Sequence, residues 1–272
     1  MRALFAAFTL CLIALPATAQ WAHYPLGNLP RRPDGAPDLS APAPRTTDGR
    51  PDLSGVWWVR HDGAENDDLG PSPKYLSNLA ADLAPHDVAM RPWADAFLKE
   101  QSAQRGLNHP MASCLPPGIP LSYTVPLPFK IVQTPSLVVM LYEAGNTFRQ
   151  VFTDGRGLAK DPNPSFYGYS VGRWDDDAFV VESSGFNDRT WLDGMGHPHT
   201  EALRIIERYR RRDAGHLEIE ITIDDHLAYA RPWTVKIGAE LLTGTEVMEY
   251  VCVENEKSRQ HMPGRTEVRA TP

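Results

Sequence analysis

LRIIERYRRRDAGHLEIEITID, residues 203–224, decides the fold. Its second half alternates strictly, with Leu217, Ile219, Ile221 and Ile223 on one face and Glu218, Glu220, Thr222 and Asp224 on the other. Period two is the signature of a half-buried strand. The first half, residues 203–212, must pair with it through the turn at Asp213-Ala214-Gly215. A three-residue loop with Gly215 in the left-handed conformation is a favoured hairpin geometry. That register sets Tyr209 opposite Ile219, Glu207 opposite Ile221 and Ile205 opposite Ile223. On the other face it sets Arg208 opposite Glu220 and Arg210 opposite Glu218, two attractive cross-strand pairs. A two-residue loop would instead place Arg208 and Arg210 among the isoleucines. The charge pattern selects the first register, and Glu207 then projects into the apolar face. A buried carboxylate costs several kcal/mol unless it is paired or protonated, so Glu207 needs a partner or a task.

Working outward, hairpin signals recur. Gly55-Val56-Trp57-Trp58-Val59 opens the strand set, and residues 130–143 read as a strand broken or bulged at Pro135. Gly145-Asn146 turns the chain and residues 148–153 return. Residues 170–174 and 179–182 flank an acidic turn at Asp175-Asp176-Asp177. Residues 233–242 and 246–253 form a last hairpin about Thr243-Gly244, in which Val235, Ile237 and Ala239 face Cys252, Tyr250 and Met248. Residues 92–100 read as a short helix with Pro92 in its first turn, and Cys114-Leu115-Pro116-Pro117-Gly118 excludes regular structure. Consecutive hairpins with little helix predict an antiparallel meander, and eight or more such strands tend to close and so remove their edges. The expectation is a mainly β chain: an antiparallel up-and-down barrel of lipocalin type with an extended arm and one or two short helices. A two-sheet sandwich is the alternative.

The chain starts Met1-Arg2, continues apolar over residues 3–15 and reaches Ala17-Thr18-Ala19, the form of a secretory leader, too short for a membrane span. Residues 1–19 are read as signal peptide, 20–54 as a Pro-rich arm and 55–272 as one β-barrel domain. The arm carries an echo: Asp34-Gly35-Ala36-Pro37-Asp38-Leu39-Ser40 returns as Asp48-Gly49-Arg50-Pro51-Asp52-Leu53-Ser54. Two copies are too few for a solenoid. The expected compartment is periplasmic or extracellular, where Cys114 and Cys252 would pair. On the chain-entropy model so long a loop stabilises by up to roughly 4–5 kcal/mol. Net charge is −7, becoming −8 when Arg2 leaves. Acids and arginines are interleaved, with no basic patch for nucleic acid and no later segment apolar enough for stable membrane insertion. No phosphate loop or dinucleotide fingerprint appears, so no cofactor is expected.

Several side chains are candidates for chemistry. Glu207 is the prospective acid or base, with Arg149 or Arg156 as its counter-ion and stabiliser of developing negative charge. A structural, arginine-paired Glu207 is the competing reading. Glu143 and Glu207 could form a carboxylate pair, one protonated and one ionised. His197-Pro198-His199 presents two imidazoles on one side of an extended segment. They are read as acid/base or hydrogen-bonding groups at a barrel mouth, not as a metal site, because the spacing is no strong metal pattern. Residues 185–196, with Asn187, Trp191 and Asp193, form a long loop suited to capping a ligand. Asp154, Tyr169, Trp174 and Tyr209 complete the expected substrate contacts. Gly168-Tyr169-Ser170-Val171-Gly172 matches a nucleophile elbow in spelling, but no helix follows it. The partner expected is a small molecule.

The blocks Pro51-Asp52-Leu53-Ser54-Gly55-Val56-Trp57, Cys114-Leu115-Pro116-Pro117-Gly118, Lys130-Ile131-Val132-Gln133-Thr134-Pro135, Phe148-Arg149, Asp154-Gly155-Arg156, Ser170-Val171-Gly172-Arg173-Trp174, Gly185-Phe186-Asn187-Asp188, Trp191-Leu192-Asp193, Glu207-Arg208 and the segment at Cys252 resemble a family of secreted, largely uncharacterised β-rich proteins of environmental bacteria. The resemblance implies a secreted β domain and carries no established reaction. The chain departs from the family at Tyr169, where His is more usual, and at His226, where Pro is usual. A catalytic role of that family His would not carry over.

Overall fold

The computed structural model describes residues 29–59, 78–104 and 107–252. The expected leader, the first part of the expected arm and Val253 lie outside them. Nine strands follow one another: β1 (Gly55–Val59), β2 (Phe129–Gln133), β3 (Leu137–Tyr142), β4 (Thr147–Phe152), β5 (Tyr169–Asp175), β6 (Ala178–Ser184), β7 (Arg204–Arg211), β8 (His216–Asp224) and β9 (Trp233–Leu242). They close into a barrel in chain order, β9 pairing back onto β1. A ring with an odd number of strands cannot alternate direction all the way round. The mismatch falls at β4–β5, which run parallel and pair only through Val151–Ser170 and Phe152–Val171.

The β7–β8 register is the one that the charges select, with Glu207 opposite Ile221, Arg208 opposite Glu220 and Arg210 opposite Glu218. Arg212 N–H donates to the His216 carbonyl at 2.9 Å and closes the three-residue loop. Gly215, however, is outside the left-handed region. Its need for glycine is one of space, since an added Cβ would lie 2.5 Å from Leu39 Cβ and 2.9 Å from the Leu39 carbonyl oxygen. That oxygen accepts the Gly215 N–H at 2.8 Å, seating the arm on the hairpin.

Two strand expectations are corrected. Residues 130–143 are broken at Pro135 rather than bulged there, and the two pieces form a hairpin: Gln133 pairs with Val138, and the chain reverses at Pro135-Ser136. Proline has no N–H for a ladder but suits a turn. Residues 246–252 form no strand, because β1 already occupies the free side of β9. Met248 and Tyr250 are exposed rather than facing Ala239 and Ile237. The segment instead rests on the barrel exterior, with Lys130 on Glu246 at 2.6 Å and Asn146 donating to the Tyr250 carbonyl at 2.8 Å. The Cys114–Cys252 disulfide pins its end.

Two helices occur among the described residues, α1 (Pro92–Ala103) and α2 (Leu121–Thr124). All four residues of α2 are buried, and Tyr123 reaches the barrel centre. The arm echo is a structural repeat. Arg31 donates to the Gly35 carbonyl and Arg45 to the Gly49 carbonyl, each at 2.7 Å, and both glycines have φ +83°. The second copy docks through Arg45 on Asp177 and a fully buried Leu53. Apolar packing fills the lumen with Trp57, Phe129, Ile131, Phe179, Ile205, Ile219, Ile221 and Ile223.

Candidate functional site

Alternation on β7 sends Ile205, Glu207 and Tyr209 inward, and none of the three is measurably exposed. Glu207 Oε2 accepts Arg149 Nη2 at 2.5 Å, and Oε1 accepts the hydroxyls of Tyr209 at 2.6 Å and Tyr123 at 2.9 Å. Arg149 comes across the lumen from β4. Its Nε donates to Ser170 Oγ at 2.9 Å and its Nη2 also to Ser183 Oγ at 2.6 Å. Those two serines face each other across β5 and β6 with their hydroxyls 2.9 Å apart. Tyr142 OH lies 3.2 Å from Tyr123 OH and closes the cluster. Burial, followed by the Glu207 charge, holds the Tyr123 and Tyr209 hydroxyls well above their ordinary 10. They therefore remain donors. Burial works against the Arg149 charge, but Glu207 outweighs it and keeps the guanidinium protonated. Both carboxylate oxygens of Glu207 are thus committed to buried donors.

Other expected partners are elsewhere. Arg156 does not enter the lumen; it is exposed and forks onto Asp154 at the end of a strand. Glu143 does not meet Glu207; its Oε2 accepts the Met248 N–H at 2.9 Å on the outside. Trp174 pairs with Phe179 on the inward face, near the end of β5 away from Ser170, its ring tilted against Phe179 at 5.2 Å, and Asn187 Oδ1 accepts the Arg189 N–H in a local turn. His197 and His199 are not hydrogen-bonded to Glu207, and among the described residues no group of three His, Cys, Asp or Glu is placed so as to hold a metal ion. The two imidazoles take different partners, His197 taking Asp193 and His199 taking Thr190 and Thr200, in a segment folded back by a bridge from Trp191 to Pro198.

That turn is organised by Asp193. Its Oδ1 accepts the N–H groups of Met195, Gly196 and His197, and its Oδ2 accepts Leu79 N–H at 2.9 Å and His197 Nδ1 at 2.6 Å. Burial pushes the Asp193 carboxyl up, but His197 and these donors outweigh it and hold it below the usual carboxylate range. His199 is fully engaged: Nδ1–H donates to the Thr200 carbonyl at 3.2 Å and Nε2 accepts from Thr190 Oγ1 at 3.1 Å. Burial lowers its pKa and favours that neutral form.

A cleft of about 440 Å³ opens along the β4–β5 seam. It exists because the parallel pair joins only at its far end, leaving Thr147 to Gln150 of β4 without a strand on that side. Phe148, Phe152, Phe166, Tyr167 and Tyr169 line it, with Arg149 and Ser170 among its lining residues. Phe148 is 63% exposed and Tyr169 41%, so the rim is aromatic. Of the expected contacts, Tyr169 and Arg149 therefore meet at this cleft, whereas Tyr209 belongs to the buried cluster.

Sequence reading missed Tyr123, Tyr142, Ser170 as an arginine partner, and Ser183. Ser183 was accessible in principle, since Phe179, Val181 and Ser183 alternate on one face of β6. Tyr123 had no periodic signal, because it lies on a single helical turn. Comparison with protein-family models, curated proteins and solved structures gives no match.

Proposed function

We propose that this chain is a small-molecule-binding β-barrel acting outside the cytoplasm, which takes its ligand in the β4–β5 cleft, and that Glu207 is the structural counter-ion of Arg149. The observation that carries the reading is the aromatic cleft beside a cluster in which Glu207 has no uncommitted oxygen. A general acid or base must reach its substrate within hydrogen-bond distance. Glu207 is wholly buried, and each of its oxygens already accepts a buried donor. The cleft has the features of a ligand site, namely an apolar, aromatic wall with few polar groups. It suits a flat, largely apolar ligand with one polar group. The Cys114–Cys252 disulfide fits an oxidising compartment, and among the described residues no helix is long and apolar enough to cross a membrane. Membership of the secreted bacterial family named above rests on the shared sequence blocks.

Anilinonaphthalene sulfonate tests the site, having an aromatic body and one anionic group. One dye should bind per folded chain, and Phe148→Ser and Tyr169→Ala should each weaken it by about tenfold, the equivalent of one lost aromatic contact. Equal binding by wild type and both variants would refute the cleft as the site.

A further inference from the structure

At the end of the barrel where β9 begins, three buried polar atoms have no hydrogen-bond partner: Gln101 Oε1, His109 Nε2 and Trp233 Nε1. Their residues are 6%, 4% and 3% exposed, so bulk water does not serve them. Their residues all lie against the wall formed by residues 191–197. The His109 ring stands edge-on to Trp191 at 5.1 Å, and the Trp233 ring lies 6.0 Å from His197. Gln101 packs on Gly196, where an added Cβ would be 2.8 Å from Gln101 Cβ and 3.8 Å from the Trp191 ring. The tautomer of His109 is set by its neighbour, since Nδ1 accepts the Met111 N–H at 3.2 Å as the cap of a helical turn. The proton is therefore on Nε2, which is an unanswered donor. Trp233 Nε1–H is a second donor, and Gln101 Oε1 is an unanswered acceptor. Donor and acceptor are complementary, yet neither reaches the other.

We propose that this wall is a second binding site, for a small uncharged group carrying a carbonyl and an N–H or O–H, as a carboxamide does. The carbonyl would accept from His109 or Trp233, and the N–H would donate to Gln101. A charged ligand is disfavoured by the surroundings. The nearby Asp193 carboxylate repels anions, and its own oxygens are taken by five donors, so it offers nothing to a cation. His109 supplies no positive charge, because burial lowers it to about 4 despite the pull of Asp193. An ion without a counter-charge is costly to bury. Buried unsatisfied groups of this kind give sharp selectivity for a ligand that pairs them.

Acetamide is the probe, with acetate as its charged isostere and the full oxidised chain as the protein. Histidine ring ¹H–¹⁵N spectra should show the His109 Nε2 resonance moving saturably with acetamide and not with acetate. Gln101→Leu, with its fold checked by the remaining spectrum, should weaken the response by about tenfold, as expected for one lost hydrogen bond. His109→Phe should remove the stabilisation that acetamide confers on thermal unfolding. Tyr169→Ala should leave both readouts unchanged, which separates this site from the cleft. No movement of the His109 resonance, an equal response to acetate, an undiminished response in Gln101→Leu, or a bound water that acetamide fails to displace would overturn the proposal.

Discussion

Replacing Glu207 with Gln keeps the side-chain volume and removes one charge. Arg149, whose side chain is 1% exposed, would then be left with Ser170, Ser183 and a neutral amide. Removing one member of a buried ion pair costs about 3–5 kcal/mol, because the other charge remains desolvated. For a chain of this size each kcal/mol lowers Tm by about 2–4 °C, so the midpoint should fall by about 6–20 °C. The double variant Glu207→Leu with Arg149→Met removes both charges and should recover most of that loss. With the single variants Glu207→Leu and Arg149→Met as the other corners, the cycle should show a coupling of about 3 kcal/mol or more between the two positions. Urea unfolding followed by tryptophan fluorescence, with the disulfide intact, measures the four proteins of the cycle and Glu207→Gln. Dye affinity per folded molecule should change little in Glu207→Gln, because the aromatic side chains of the cleft are untouched. A Glu207→Gln protein of wild-type stability that has lost ligand binding or a detected turnover would restore Glu207 as a working acid or base. A double variant as unstable as the sum of its singles would remove the ion pair as the reason for the burial.

Three further outcomes follow from the same contacts. Below its ordinary 6.5 the unfolded His109 takes a proton that the folded protein refuses until about 4; stability should be complete above pH 6.5 and fall by roughly 3 kcal/mol towards pH 4, with a shallower slope in His109→Phe. At the alkaline end, the raised tyrosines Tyr123, Tyr142 and Tyr209 stay protonated in the fold while the unfolded chain ionises near 10; stability present below pH 10 should drain away above it, and absorbance at 295 nm should show their ionisation only as the protein unfolds. Gly215→Ala drives a methyl to 2.5 Å from Leu39 Cβ; it should cost about 1–3 kcal/mol by overpacking and speed hydrogen exchange at the Ala214 and Gly215 amides, and unchanged exchange would mean that the arm does not depend on that contact.

The readings that held came from signals local to one or two strands. Alternation over residues 217–224 and the opposed Arg208–Glu220 and Arg210–Glu218 pairs were enough to orient Glu207, because a pleated strand has only two faces and like must meet unlike across a hairpin. The cysteine count and the leader pattern were enough to pair Cys114 with Cys252. What the tertiary structure decided lies across the lumen. That Arg149 rather than Arg156 answers Glu207, that Tyr123 on one buried turn joins them, and that Glu143 faces out all depend on how the sheet closes. The strand total, odd rather than even, forces a parallel seam and with it the cleft, and no single stretch of sequence contains that number. Pro135 became a turn, and the last expected strand was excluded because β1 had taken its place on β9. Residues separated by half a barrel have no common periodicity, so only the closed fold brings them within reach.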